Sequence, residues 1–192
     1  YFLKNLTVTA GLINGEKELH IQSPFMDAWI KGNYSYPTIP SSIMHIMQKY
    51  IPSLIVVDDL KQKPNNHFKF NIQIDNSELF EKLFYLPVHM HMPSSLKGYV
   101  DDTNNQLRIE GTFPSFTYNG TLYESGSLFC ENPSNQFNCF IRGNMLMNSG
   151  AMINLSMDAQ AKEDQLKTHL YWGNNTDVTY GGRFHTTTRF SK

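Results

Sequence analysis

Apolar and polar residues trade places along much of this chain. In residues 67–75, Phe68, Phe70, Ile72 and Ile74 interleave with Lys69, Asn71, Gln73 and Asp75. Successive strand side chains point to opposite faces, so such a segment has one apolar face and one hydrated face. The pattern recurs in 106–113 with Leu107, Ile109 and Phe113, and in 151–161 with Ile153, Leu155, Met157, Ala159 and Ala161. It returns in 165–172 with Leu166, Leu170 and Trp172, and in 178–190 with Val178, Tyr180, Phe184 and Phe190. Shorter runs open the chain at 6–12, 19–21 and 26–30. Between the runs lie Asn14-Gly15, Asn119-Gly120 and the polar stretches 102–105 and 174–177. Asn-Gly between alternating runs is the strongest short-range hairpin signal, because both central residues must take positive φ. The pattern predicts a mainly β protein of about a dozen strands in a long antiparallel meander.

Two segments break the alternation. Residues 41–51 carry Ile43, Ile46, Met47, Tyr50 and Ile51 at helical spacing, with Ser41 or Ser42 as the expected N-cap and Pro52 just beyond the end. Residues 77–84 begin with Ser77 as a cap and place Leu79, Phe80, Leu83 and Phe84 on a broad apolar side. Helices this short are not stable alone in water, so each is expected to dock on the sheet. The charged, proline-containing loop 58–66 is the one place where an internal boundary is expected, and residues 1–192 are read as a single domain. The chain opens at Tyr1 without an initiator methionine and is read as a piece of a longer protein.

Composition narrows the function classes. Sixteen Lys and Arg against seventeen Asp and Glu give a net charge of -1, which argues against nucleic acid as a partner. Charged residues make up only 17% of the chain, so eighteen asparagines and other uncharged groups must supply the polar surface. Aromatics at 13% weigh against disorder. Glycine-rich phosphate loops, a GxSxG elbow and catalytic-thiol signatures are all missing from the sequence, so no catalytic residue, cofactor or enzymatic activity is assigned.

The remaining chemistry has both plain and functional readings. Cys130 and Cys139 lie opposite each other if Ser134 and Asn135 are the central residues of the intervening turn. They then either form a cross-strand disulfide or stay reduced as small apolar residues. His89 and His91 share a strand face and could chelate a cation, but polar residues belong on that face and no further ligand is near in sequence, so no metal is assigned. Tyr34, Tyr36, Tyr118, Tyr123 and Tyr171 could form a carbohydrate platform, or could simply pack across strands. A sheet with one apolar face must bury it. It does so either by folding on itself as a sandwich or barrel, or by remaining an open trough for an apolar ligand.

The order of segments carries one further signal. A hairpin strand ending His20-Ile21-Gln22-Ser23-Pro24 leads into Trp29-Ile30-Lys31-Gly32-Asn33-Tyr34, then a short helix and Tyr50-Ile51-Pro52-Ser53-Leu54. Later come Leu96-Lys97-Gly98, Leu107-Arg108-Ile109-Glu110-Gly111, and Tyr171-Trp172-Gly173-Asn174-Asn175 followed by Tyr180-Gly181-Gly182-Arg183-Phe184. In this order the chain resembles the TamB family, AsmA-like proteins of Gram-negative bacteria. The likeness covers almost all of the chain and rests on β-repeat texture rather than on catalytic motifs.

The resemblance implies a curved or U-shaped sheet with an apolar inner face, in a periplasmic protein anchored in the inner membrane. It implies a non-enzymatic role in outer-membrane biogenesis, with a groove for phospholipid transport or for translocation and assembly of outer-membrane proteins. Partners would be phospholipid acyl chains or outer-membrane barrel segments. An outer-membrane barrel of the TamA/BamA class would be engaged through parts of the chain not present here. The expected groove lining is Phe68, Phe70, Ile72, Ile74, Leu107, Ile109, Ile153, Leu155, Leu166 and Leu170. The competing expectation is a carbohydrate- or ligand-binding β-sandwich module.

Overall fold

The structure is a computed structural model that describes residues 5–55, 65–174 and 180–191, the side chain of Phe84 excepted. Of the segments singled out in the sequence, 58–64 of the charged loop, 175–177 of the last turn and Val178 lie outside the described residues. The strands are β1 (Thr7–Ile13), β2 (Glu16–Ser23), β3 (Met26–Asn33), β4 (His67–Ile74), β5 (Val88–Met90) and β6 (Ser94–Asp101). They continue with β7 (Gln106–Tyr118), β8 (Thr121–Glu131), β9 (Phe137–Leu146), β10 (Met152–Lys162), β11 (Gln165–Gly173) and β12 (Gly181–Arg189). Two helices, α1 (Ile39–Gln48) and α2 (Glu78–Phe84), interrupt the series.

All twelve strands form one antiparallel sheet in chain order, with β5 set aside to pair with the end of β7. This is the long meander that the alternation predicts. Its hairpins turn where the chemistry says. Asn14 and Gly15 have φ of 52° and 82°, and Asn119 and Gly120 have 48° and 80°. Ser134 and Asn135 also take positive φ, 48° and 62°, so they are the central pair between β8 and β9. Glu163 and Asp164 do the same between β10 and β11, without the usual glycine.

Helix α1 departs from expectation at both ends, starting at Ile39 rather than Ser41 and stopping at Gln48 rather than Ile51, whereas α2 starts where expected. Thr38 precedes α1, Pro40 occupies its first turn, and a single 3-10 turn (Tyr36–Thr38) leads into it. Proline's fixed φ suits the first helical turn, where a backbone N–H has no partner to lose. Ser42 is therefore not a cap; it is fully buried and accepts a hydrogen bond from Asn66 Nδ2 at 2.7 Å. Ser77 does sit at the N-cap position of α2, but its hydroxyl is used elsewhere. It bonds Glu81 and accepts from the Met90 backbone N–H, which holds β5 against the helix.

The sheet is curved. Phe68 on β4 and Ala161 on β10 share one buried cluster with Ile46, Tyr50 and Ile51 from α1 and its following turn. These strands are five steps apart in the sheet, about 24 Å if it were flat, while a helix with its side chains is only about 10–12 Å across. A helix that touches both must therefore be wrapped by the sheet. Polar contacts tie the same seam. Asp164 in the β10–β11 turn accepts from the Ser53 backbone N–H at 2.7 Å and its hydroxyl at 3.0 Å. Asn105 and Asn132 both donate to the Tyr50 hydroxyl at 2.9 Å.

Candidate functional site

Register decides which side chains share a face, because residues directly opposite each other in an antiparallel pair point the same way. From β4 to β12 one line runs Ile72, Leu96, Gly111, Leu128, Ile141, Met157, Leu170 and Phe184, each opposite the next. Parallel lines lie on either side of it. The ten residues expected to line a groove all fall on this face, but the molecule does not treat them alike.

At one end of the strands the face is sealed by α1. Phe68 and Leu107 belong to the buried cluster, and Phe70, Ile109 and Leu166 pack against it. Ile153 is also buried. Ile72 and Ile74 are half-buried on β4 and lie outside the cavity described next. Of the ten, Leu155 and Leu170 stand where the face is open. They line a cavity of about 540 Å³ together with Leu128, Ile141, Met157 and Trp172. The contrast in exposure is large: Val100 and Leu107 under α1 are 1% and 2% exposed, whereas Ile141 and Trp172 are 41% and 43% exposed. The apolar face is thus a trough closed at one end and open over β7 to β12.

A bulge shapes the open part. Between Ser127, opposite Arg142, and Glu124, opposite Asn144, β8 has one residue more than β9. Ser125 takes φ 54° there, and the extra residue reverses the phase of the strand. Tyr123 consequently lies opposite Met145, on the apolar side, and stacks on Phe116 with ring centroids 5.2 Å apart. Gly126 is needed at the bulge: a Cβ there would come within 2.8 Å of the Phe113 carbonyl oxygen. On the far wall Trp172 lies flat over Gly182, where a Cβ would sit 2.3 Å from Cζ2 of the indole. This is the close approach that a glycine inside a strand suggests.

Phe116, Tyr123, Leu128, Ile141, Met157 and Trp172 were not among the expected lining residues. Met157 and Trp172 belong to alternating runs and were legible as apolar-face residues. Phe116 and Tyr123 were not, because strict alternation assigns Phe116 to the other face until the bulge is known. The Ser-Gly pair at 125–126 is the one local signal that could have raised it.

The other candidates are dispersed. Cys130 and Cys139 lie directly opposite each other, with Cα atoms 4.1 Å apart, and are joined as a cross-strand disulfide. They sit on the apolar face, between Ile109 and Ala159. His89 and His91 share a face, and one nitrogen of each is engaged: Nδ1 of His89 with Glu81 at 2.9 Å, and Nε2 of His91 with Thr117 at 2.6 Å. The five tyrosines make no common platform. Tyr34 is buried beside Phe68, Tyr123 is in the trough, and Tyr171 faces Arg183 on the hydrated side. Burial raises the Tyr34 phenol, helped by its contact with the Tyr36 hydroxyl.

Comparison with known proteins returned no match: no family model, no curated protein and no solved structure is similar to the chain.

Proposed function

We propose that this chain is a non-enzymatic segment that holds apolar chains in a trough, as a TamB-like periplasmic scaffold would hold phospholipid acyl chains or barrel segments in transit. The observation that supports the reading is the open part of the apolar face. Side chains as apolar as Ile141, Leu170 and Trp172 stay in contact with water around a cavity of about 540 Å³. Exposed apolar surface of this kind marks a place where something apolar is received. Binding there gains about 25 cal/mol per Å² of hydrocarbon removed from water, with little directional demand on the guest. A guest enters from the open end and stops at α1, so this segment holds a chain rather than conducting it end to end.

A fluorescent fatty-acid probe tests the reading in solution. Leu155→Asp and Leu170→Asp are expected to abolish saturable binding, whereas Lys167→Asp on the hydrated face leaves it intact. Photo-crosslinkers placed at Ile141 or Met157 are expected to capture lipid or unfolded barrel protein in Gram-negative cells. Probe binding that is indifferent to Leu155→Asp and Leu170→Asp overturns the proposal.

A further inference from the structure

We propose that His169 and His185, on the hydrated face, form a surface site for a divalent transition-metal ion of the zinc, nickel and copper class. The two residues are directly opposite each other on β11 and β12, with ring centroids 4.5 Å apart and planes at 68°. Two imidazoles bound to one tetrahedral ion at about 2.0–2.1 Å place their centroids roughly 5 Å apart, so little movement is needed. Both side chains are exposed. Neither ring nitrogen has a hydrogen-bond partner among the described residues.

That freedom separates this pair from His89 and His91, whose rings are 4.8 Å apart but each of which has one nitrogen engaged, Nδ1 of His89 with Glu81 and Nε2 of His91 with Thr117. The pair sits in a depression of about 390 Å³ with Asp158 and Arg183. Asp158 is the next residue in the same row, opposite His169, and is paired with Arg142 at 2.5 Å. Arg183 is turned onto the Tyr171 ring. No set of three or more His, Cys, Asp or Glu converges among the described residues, so water completes the coordination of a two-imidazole site. Imidazole suits ions of this class, and the ion binds the neutral form, so acid releases it.

Titration of the 192-residue chain with Zn²⁺ or Ni²⁺, followed by calorimetry and by ¹⁵N signals of the imidazoles, tests the site. The expected result is saturable binding of one ion per chain, with the His169 and His185 signals moving together. His169→Gln and His185→Gln are each expected to lose that binding with an unchanged circular dichroism spectrum, while His89→Gln combined with His91→Gln retains it. Absence of saturable binding overturns the proposal, as does binding that survives both single variants. Equal signal shifts with inorganic phosphate alone overturn it in favour of an anion site built on Arg183.

Discussion

Asp101, the last residue of β6, accepts hydrogen bonds from the Asn104 backbone N–H and side chain at 2.9 and 2.7 Å, and pairs with His67 at 3.0 Å. Burial pushes this carboxyl up, but the Asn104 and His67 bonds outweigh it and hold its pKa below the ordinary 3.8. Asp102 beside it faces α1, and there burial wins: its pKa is raised despite His45, Ser42 and Lys49. The two carboxylates therefore act on stability with opposite signs. Asp101 contributes stability above its unfolded value and loses it as pH falls through its depressed folded value. The contribution of Asp102 is present below its unfolded value and is lost as pH rises through its raised folded value. Asp101→Asn is accordingly expected to cost about 1–3 kcal/mol at pH 7, a penalty that shrinks in acid. Asp102→Asn is expected to match or exceed the parent at pH 7 and to converge with it as pH falls. Urea denaturation at several pH values reads both, and two variants with the same pH trend would contradict the assignment.

At the scale of elements, α1 is the piece that turns a curved sheet into a closed-ended trough. Ile46, in its last turn, is fully buried against both arms of the sheet. Ile46→Ala leaves a cavity that the surrounding strands cannot fill and is expected to cost about 2–5 kcal/mol in a denaturant titration. A cost below about 1 kcal/mol would mean that α1 is not docked as described. The existence of α1 was legible from Ile43, Ile46, Met47 and Tyr50 at helical spacing. Its start was not, because Pro40 opens the helix ahead of the serines, and Ser42 looks like a cap until Asn66, 24 residues away, is seen to bond it. The β8 bulge is the same kind of miss. Ser125 and Gly126 read locally as a weak turn signal, and only the register against β9 reveals the change of phase.

The whole molecule is a sheet with two ends. β1 is exposed along all seven residues, and its outer edge carries backbone donors and acceptors with no neighbouring strand among the described residues. Val8 and Leu12 stand on its apolar side at 57% and 72% exposure. Edges of this kind pair with other chains. In isolation the chain is expected to associate with rising concentration, and Val8→Lys combined with Leu12→Lys is expected to suppress that association. Sedimentation velocity measures it; a parent chain that stays monomeric, or a charged variant that associates equally, would show that the β1 edge is not the point of contact.

Amino-acid order alone determined the mainly β meander, most of its turns and which side of each alternating run is apolar, because period-two alternation and turn chemistry act over a few neighbouring residues. It also brought Cys130 opposite Cys139, since a two-residue turn sets the register of the strands it joins. How tightly the sheet curls, where α1 lands and which apolar side chains remain in contact with water were decided only in three dimensions. Those features depend on contacts between strands five or more places apart, and no local pattern encodes them. Hence ten residues equivalent in sequence divide into a sealed group under α1, three beyond its cluster on β4 and β10, and two, Leu155 and Leu170, that line the open cavity.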